Sequence, residues 1–270
     1  MIHGSASSIN RAAVRYYDNP IVRSLYLHTP KPLLRLAVMG LILAALPGCQ
    51  SIQSTVNNSA QIRFIHASPN TSGLDIYQNT SAVAYNLGFG TITSYVPVLP
   101  ATYSFSANAA STRHTQVSTR QTLSAAKQYT AIIGNVASGL QETILADQTS
   151  PAPAGSVSIR FIDQAVYVGA LDMYLVPATA RLLASSPIAT DVVLAGNTGY
   201  INIPAGTYAL AVVPAGTLPT STTIPLLTGP QVTYASGAVR TIVVIDAPTS
   251  DTPAVAAILA SDYDAPTPAS

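Results

Sequence analysis

The chain has one cysteine, Cys49, and no tryptophan. A single thiol forms no internal disulfide and supplies no Cys/His zinc set, so the fold must be held by its core. Charge is scarce as well. Only 9% of residues are Asp, Glu, Lys or Arg, against about a quarter in ordinary globular proteins. From Cys49 onward there are seven Lys/Arg and ten Asp/Glu, a net of 7 − 10 = −3. Nothing there builds a basic stripe, which excludes nucleic acid as the partner class. The chain has no phosphate-cradling glycine loop, no His-Glu-x-x-His pair and no Gly-x-Ser-x-Gly elbow, so the common signatures of nucleotide, zinc-protease and serine-hydrolase chemistry are missing. The apolar run Leu33 to Leu46 spans 14 residues, short of the roughly 20 that a membrane-spanning helix needs.

What is present points outward from the cytoplasm. Hydrophobic residues make up 48% of the chain, enough for a packed core. Thr, Ser, Asn and Gln take the polar positions. Fourteen Tyr stand against four Phe, and Tyr, with an apolar ring and a polar tip, suits half-buried strand positions. Before Cys49, Arg11, Arg15, Arg23, Lys31 and Arg35 stand against Asp18, a net of 5 − 1 = +4. Basic residues, a short apolar segment and small residues at a cut form the layout of a secretory signal. The ending Leu46-Pro47-Gly48-Cys49 resembles the lipobox of bacterial lipoproteins, with Pro47 departing from the usual small or β-branched choice. The resemblance implies a diacylglycerol thioether on Cys49, since a thiolate is the nucleophile such an attachment requires. Several acyl chains would then anchor the protein stably in a membrane. Gln50 is not the Asp that the lipoprotein pattern associates with inner-membrane retention. The expected address is therefore the cell envelope, at the outer membrane if the cell is Gram-negative.

The rest of the chain is written twice. IRFIHASPNTSGLDIY, from Ile62, returns as IRFIDQAVYVGALDMY, from Ile159, with 7 of 16 positions identical. YVPVLPATYSF (95–105) matches YINIPAGTYAL (200–210), LSAAKQYTAIIG (123–134) matches YASGAVRTIVVI (234–245), and ETILADQ (142–148) matches VAAILASD (255–262). The offset grows stepwise from 97 to about 114, as loop insertions would make it. The segments are rich in β-branched residues, bounded by turn formers, and TYSFSANA (102–109) alternates with period two. We expect an all-β chain: two tandem antiparallel immunoglobulin-like β-sandwich domains after a signal/lipoprotein leader, about seven strands each. The expected organisation is leader 1–48, tether 49–60, copy one 61–148, linker 149–155, copy two 156–264 and tail 265–270. In Pro204-Ala205-Gly206-Thr207, Gly206 is expected to supply a positive φ to the turn that delivers Tyr208.

IRFIHASPN…LDIY, then Phe89-Gly90-Thr91, then YVPVLPATYSF, resembles the bacterial family catalogued as domain of unknown function 4397. Copy two departs at Asp163-Gln164-Ala165-Val166 but keeps Asp172 and Pro-Ala-Gly-Thr-Tyr. The resemblance implies an exported sandwich protein and assigns no activity.

Candidate site residues are few. His66 and Asp75 could pair to orient an imidazole, but Asp163 stands opposite His66 in the second copy. His66 reads first as a loop-end residue bonded to backbone, and Asp75 and Asp172 as carboxylates accepting loop N–H groups. The ten acids are scattered, which does not suit the six to eight oxygens of calcium. Arg63 and Arg160 sit between apolar neighbours and either face outward by alternation or pair with an acid, with Asp75 and Asp172 the expected partners, copy by copy. No catalytic residue, cofactor or metal is expected. The leading reading is a non-enzymatic, lipid-anchored protein whose domains meet a protein or polysaccharide partner. The alternative is a glycan- or small-ligand-binding module using exposed Tyr such as Tyr77, Tyr85 or Tyr95.

Overall fold

The computed structural model of the protein describes residues 58–136, 138–247 and 254–264. The leader, Cys49, nearly all of the tether and the tail lie outside the described residues.

Eight strands build the first sandwich: β1 (Ala60–His66), β2 (Leu74–Gln78), β3 (Ser81–Leu87), β4 (Val96–Val98), β5 (Ala101–Ala109), β6 (Thr115–Leu123), β7 (Gln128–Val136) and β8 (Gly139–Ala146). They form sheets in the orders β4-β1-β7-β8 and β3-β2-β5-β6. The second sandwich repeats this with β9 (Ser156–Gln164), β10 (Leu171–Pro177), β11 (Ala189–Val192), β12 (Asn197–Pro204), β13 (Gly206–Pro214), β14 (Leu227–Tyr234), β15 (Val239–Asp246) and β16 (Val255–Tyr263). Its sheets run β12-β9-β15-β16 and β11-β10-β13-β14, the same topology strand for strand. The Ala-rich stretch at the C-terminal end is a strand, β16, paired along β15.

Two expectations need correction. Each sandwich has eight strands rather than about seven, because edge strands such as the three-residue β4 leave little periodicity to read. Neither sandwich is purely antiparallel: β1 pairs with β7, and β9 with β15, in parallel register. These four strands are buried along nearly their whole length. Burial on both faces turns period-two alternation into a near-continuous apolar run, as parallel strands show elsewhere.

The two faces of these strands do different work. In the first sandwich Ile62, Phe64, Ala131 and Ile133 turn inward, onto Leu74, Ile76 and Phe105. The Phe64 and Phe105 rings meet at 5.8 Å with a 57° tilt. In the second, Ile159, Phe161, Ile242 and Val244 turn onto Met173, Leu175 and Val212. The opposite faces pack on each other: Ile65 and Ile132 share one buried cluster with Ile162, Val243, Ile245 and Ile258. Burying such a side chain stabilises by about 1.5–3 kcal/mol relative to leaving it in water. The stretch 149–155 follows this body closely, since the Ala152 N–H donates to the Gly237 carbonyl at 3.0 Å.

Close approach between the sandwiches explains Gly134. A Cβ there would fall 1.8 Å from Gln164 Oε1 and 2.7 Å from its Cδ. We expect Gly134→Ala to cost about 1–3 kcal/mol through overpacking, and Gly134→Ala with Gln164→Ala to recover most of that loss in urea unfolding. Gly206 behaves otherwise than expected. It does not adopt a positive φ and starts β13 in extended form. Its missing Cβ makes room for the Tyr208 ring, which would come within 3.3 Å. The Tyr208 hydroxyl donates to the Pro204 carbonyl at 2.9 Å, and Tyr103 does the same to Leu99 at 2.8 Å.

Candidate functional site

At the centre of the inter-sandwich face each copy contributes one Arg, one Tyr, one Thr and one Asp. Strand pairing sets Arg63 beside Thr130 and Arg160 beside Thr241. Alternation turns all four away from their own cores. Arg63 Nη2 donates to Asp262 Oδ1, its Nη1 to the Ser261 carbonyl at 2.8 Å, and its Nε to Thr130 Oγ1 at 2.9 Å. Reciprocally, Arg160 Nη2 donates to Asp147 Oδ1 at 2.5 Å, Nη1 to the Ala146 carbonyl at 3.1 Å, and Nε to Thr241 Oγ1 at 3.1 Å. Each carboxylate is also held by its own copy. Asp147 Oδ2 accepts from Tyr95 (2.8 Å) and Thr130 (2.7 Å), and Asp262 Oδ2 from Tyr200 (2.9 Å) and Thr241 (2.7 Å). Arg63 lies 4.5 Å from the centre of the Tyr95 ring, and Arg160 4.7 Å from that of Tyr200.

The arrangement is that of a two-fold interface made within one chain. Each copy orients its carboxylate and gives it to the guanidinium of the other. Burial, with the nearby carboxylate Asp147, raises the Tyr95 hydroxyl above its ordinary value, and burial does the same to Tyr200. Both hydroxyls therefore stay protonated and act as donors.

The residues nominated from sequence fall elsewhere. His66 ends β1, fully buried, with Nδ1 2.9 Å from the Leu87 carbonyl. Burial lowers its pKa below the ordinary value, which keeps the ring neutral. Asp75 accepts N–H bonds from Asn86 (2.8 Å) and Ser111 (3.0 Å), and Asp172 from Asp191 (2.8 Å) and Gly216 (3.0 Å). These carboxylates hold loops, and the expected Arg63–Asp75 and Arg160–Asp172 pairs are not formed. Leu74 and Ile76 point into the core, so Asp75 leaves the far side of its sheet, while Arg63 leaves the far side of the other. Of the nominated tyrosines, Tyr85 is exposed, Tyr77 is half-buried and Tyr95 belongs to the network.

Two acids that the sequence did not single out are buried without a counter-ion. Neither carboxylate oxygen of Glu142, nor Asp163 Oδ2, has a hydrogen-bond partner among the described residues. Burial pushes each up to about 7, with Asp246 adding to the shift at Asp163.

Where β1 and β9 end, the unlike loops of the two copies meet. The Tyr167 hydroxyl donates to Asn70 Oδ1 at 2.6 Å. The loop between β13 and β14 carries Leu218 and Ile224, 87% and 89% exposed. Threonines fix its shape, with the Thr220 N–H donating to Thr223 Oγ1 at 2.8 Å.

Sequence comparison matches part of the chain to a family. Residues 60–174 match the family described as Domain of unknown function (DUF4397). The DUF4397 match takes in the whole first sandwich, β9 and the first part of β10. No curated protein is similar to the chain. Among solved structures, it is similar to the Bacillus anthracis TIE protein at 9% identity, covering 76% of this chain and 44% of that one, with a TM-score of 0.22. It is also similar to GBS52, the minor pilin of Streptococcus agalactiae, at 12% identity, covering 68% and 94%, with a TM-score of 0.20. A third is CBMbc (family CBM26) from Eubacterium rectale Amy13K in complex with maltoheptaose, at 11% identity, covering 77% and 98%, with a TM-score of 0.24. Likeness at this level assigns the chain no ligand.

Proposed function

We propose that the chain is an exported, lipid-anchored protein of the cell envelope, a non-enzymatic module that meets a protein or polysaccharide partner. Cys49 is the attachment point, and the outer membrane is the address if the cell is Gram-negative. The observation that carries the interaction reading is the closed Arg63–Asp262 and Arg160–Asp147 pair of bridges. It makes one stiff body of two sandwiches, with unlike loops meeting where β1 and β9 end. A rigid display surface loses less entropy on binding than two domains swinging on a linker.

Mass measurement of the mature N-terminus tests the anchoring. Cleavage before Cys49 with a diacylglyceryl mass increment is the expected result, together with build-up of the uncleaved form under globomycin. An unmodified Cys49, or a cut elsewhere, overturns it.

A further inference from the structure

The two sandwiches leave a cleft of about 380 Å³ between them at the end where β1 begins. Pockets that hold small ligands run from roughly 300 to 1,000 Å³. Its lining includes Gln61 and Lys127-Gln128 from the first sandwich, and Tyr263 and Asp264 from the second. Gln61 and Gln128 are direct partners across β1 and β7, one interface-facing rung from Arg63 and Thr130. Gln128 Nε2 donates to Gln61 Oε1 at 2.6 Å, which fixes both amide planes. The Gln61 amide N–H groups and Gln128 Oε1 remain for another molecule.

Charge in the cleft is almost cancelled. Asp262 is committed to Arg63, Thr241 and Tyr200, and Asp264 Oδ1 to Arg240. Lys127 carries a charge with no ion-pair partner among the described residues. This is neither a cage for an anion nor an oxygen shell for a cation. It is a neutral, polar slot with one half-buried aromatic ring, Tyr263.

The scaffold repeats but the slot does not. The equivalent rung of the second sandwich is Ser158 beside Val239, and there the Ser158 hydroxyl is already bonded to Asn202. A duplicated frame thus carries an amide pair on one side only.

We propose that this cleft is a binding site for a neutral saccharide. The locked pair presents a donor on Gln61 beside an acceptor on Gln128, which matches vicinal hydroxyls, each able to give and take a proton. Tyr263 offers an apolar ring face for the C–H side of a sugar and a hydroxyl at its edge. This inference rests on the interaction reading proposed above and deepens it, with a saccharide as the partner and this cleft as its place, and it is independent of whether Cys49 is acylated.

The test uses the intact chain in a sugar-free detergent, with chitotriose, maltotriose, galactotriose and inorganic phosphate as probes, followed by NMR. Saturable binding of at least one trisaccharide is expected, weakened about tenfold or more by Gln61→Ala and by Tyr263→Ala, and unchanged by Tyr85→Ala. Each variant is first matched to the parent in melting temperature. Lys127→Ala, at an exposed position, is the variant least able to disturb the fold, and it should weaken binding less than Gln61→Ala does. Overturning results are no saturable binding by any trisaccharide, binding indifferent to Gln61 and Tyr263, or phosphate binding that depends on Lys127. None of these outcomes bears on the mass of the N-terminus.

Discussion

Replacing Arg63 with alanine is expected to destabilise the fold by about 3–5 kcal/mol, the range for stripping one partner from a buried ion pair. The Arg63 and Asp262 side chains are 4% and 0% exposed, so the carboxylate left behind has little access to water. The Ser261 carbonyl and the Thr130 hydroxyl lose donors in the same step. Arg160→Ala should cost a similar amount, because Asp147 and the Ala146 carbonyl lose the mirror-related contacts. A double-mutant cycle separates the cross-copy pairing from the one expected within a copy. Arg63→Ala and Asp262→Ala should be strongly non-additive, since the second removes a charge the first has already stranded. Arg63→Ala and Asp75→Ala should add, having no shared partner. Replacing both Arg63 and Asp262 with apolar residues of similar volume should recover most of the loss. Urea unfolding followed by circular dichroism reads all of these. A loss below about 1 kcal/mol for Arg63→Ala, the value of an exposed pair, would show that the sandwiches part in solution.

The same pair marks the boundary of what the sequence reveals. The doubled IRFI…LDxY predicts a scaffold built twice, and the matching sheet orders bear that out. Period-two alternation also places Arg63 on the face opposite Ile62 and Phe64. Alternation gives the face but not its neighbour. That face is covered by the second copy, through contacts nearly 200 residues apart in the chain, and no local spacing records them. Asp75 is the nearest acid in the motif, yet it leaves the opposite sheet with the core between. Asp147, just past β8, and Asp262, near the end of β16, do hold the arginines, and they lie where ETILADQ aligns with VAAILASD. That alignment contains the answer in principle, because a carboxylate kept at matching places in two copies points to a shared role. The amide rung at Gln61 and Gln128 carries no such mark, since it exists once.

Stability should fall as pH rises from about 4.5 to about 7, and Glu142→Gln should remove much of that fall. Glu142 turns inward from β8, beside Leu140 and Ile144, which pack on the first core. Desolvation penalises its charged form and lifts it from 4.5 to about 7. The folded state therefore binds a proton more tightly than the unfolded chain. The stabilisation is complete below the unfolded value and is lost as pH climbs through the folded one. At about 1.4 kcal/mol per pKa unit, the contribution is of the order of 3 kcal/mol. Asp163, fully buried, acts in the same direction over the window from 3.8 to about 7. His66 holds the equivalent position in the first sandwich and acts oppositely. Its lowered pKa makes the neutral ring the stable form, so stability is gained as pH rises through about 6.5. Burial raises Asp262 as well, so three acids against one imidazole leave a net decline as pH rises toward 7. At pH 8, Glu142→Gln should raise stability by about 2–3 kcal/mol, because the amide avoids burying a charge, while at pH 4 it should change little. Melting temperature against pH for the parent, Glu142→Gln and Asp163→Asn decides the matter. Curves that keep the same slope between pH 4.5 and 7 in both variants would place the titrating groups elsewhere.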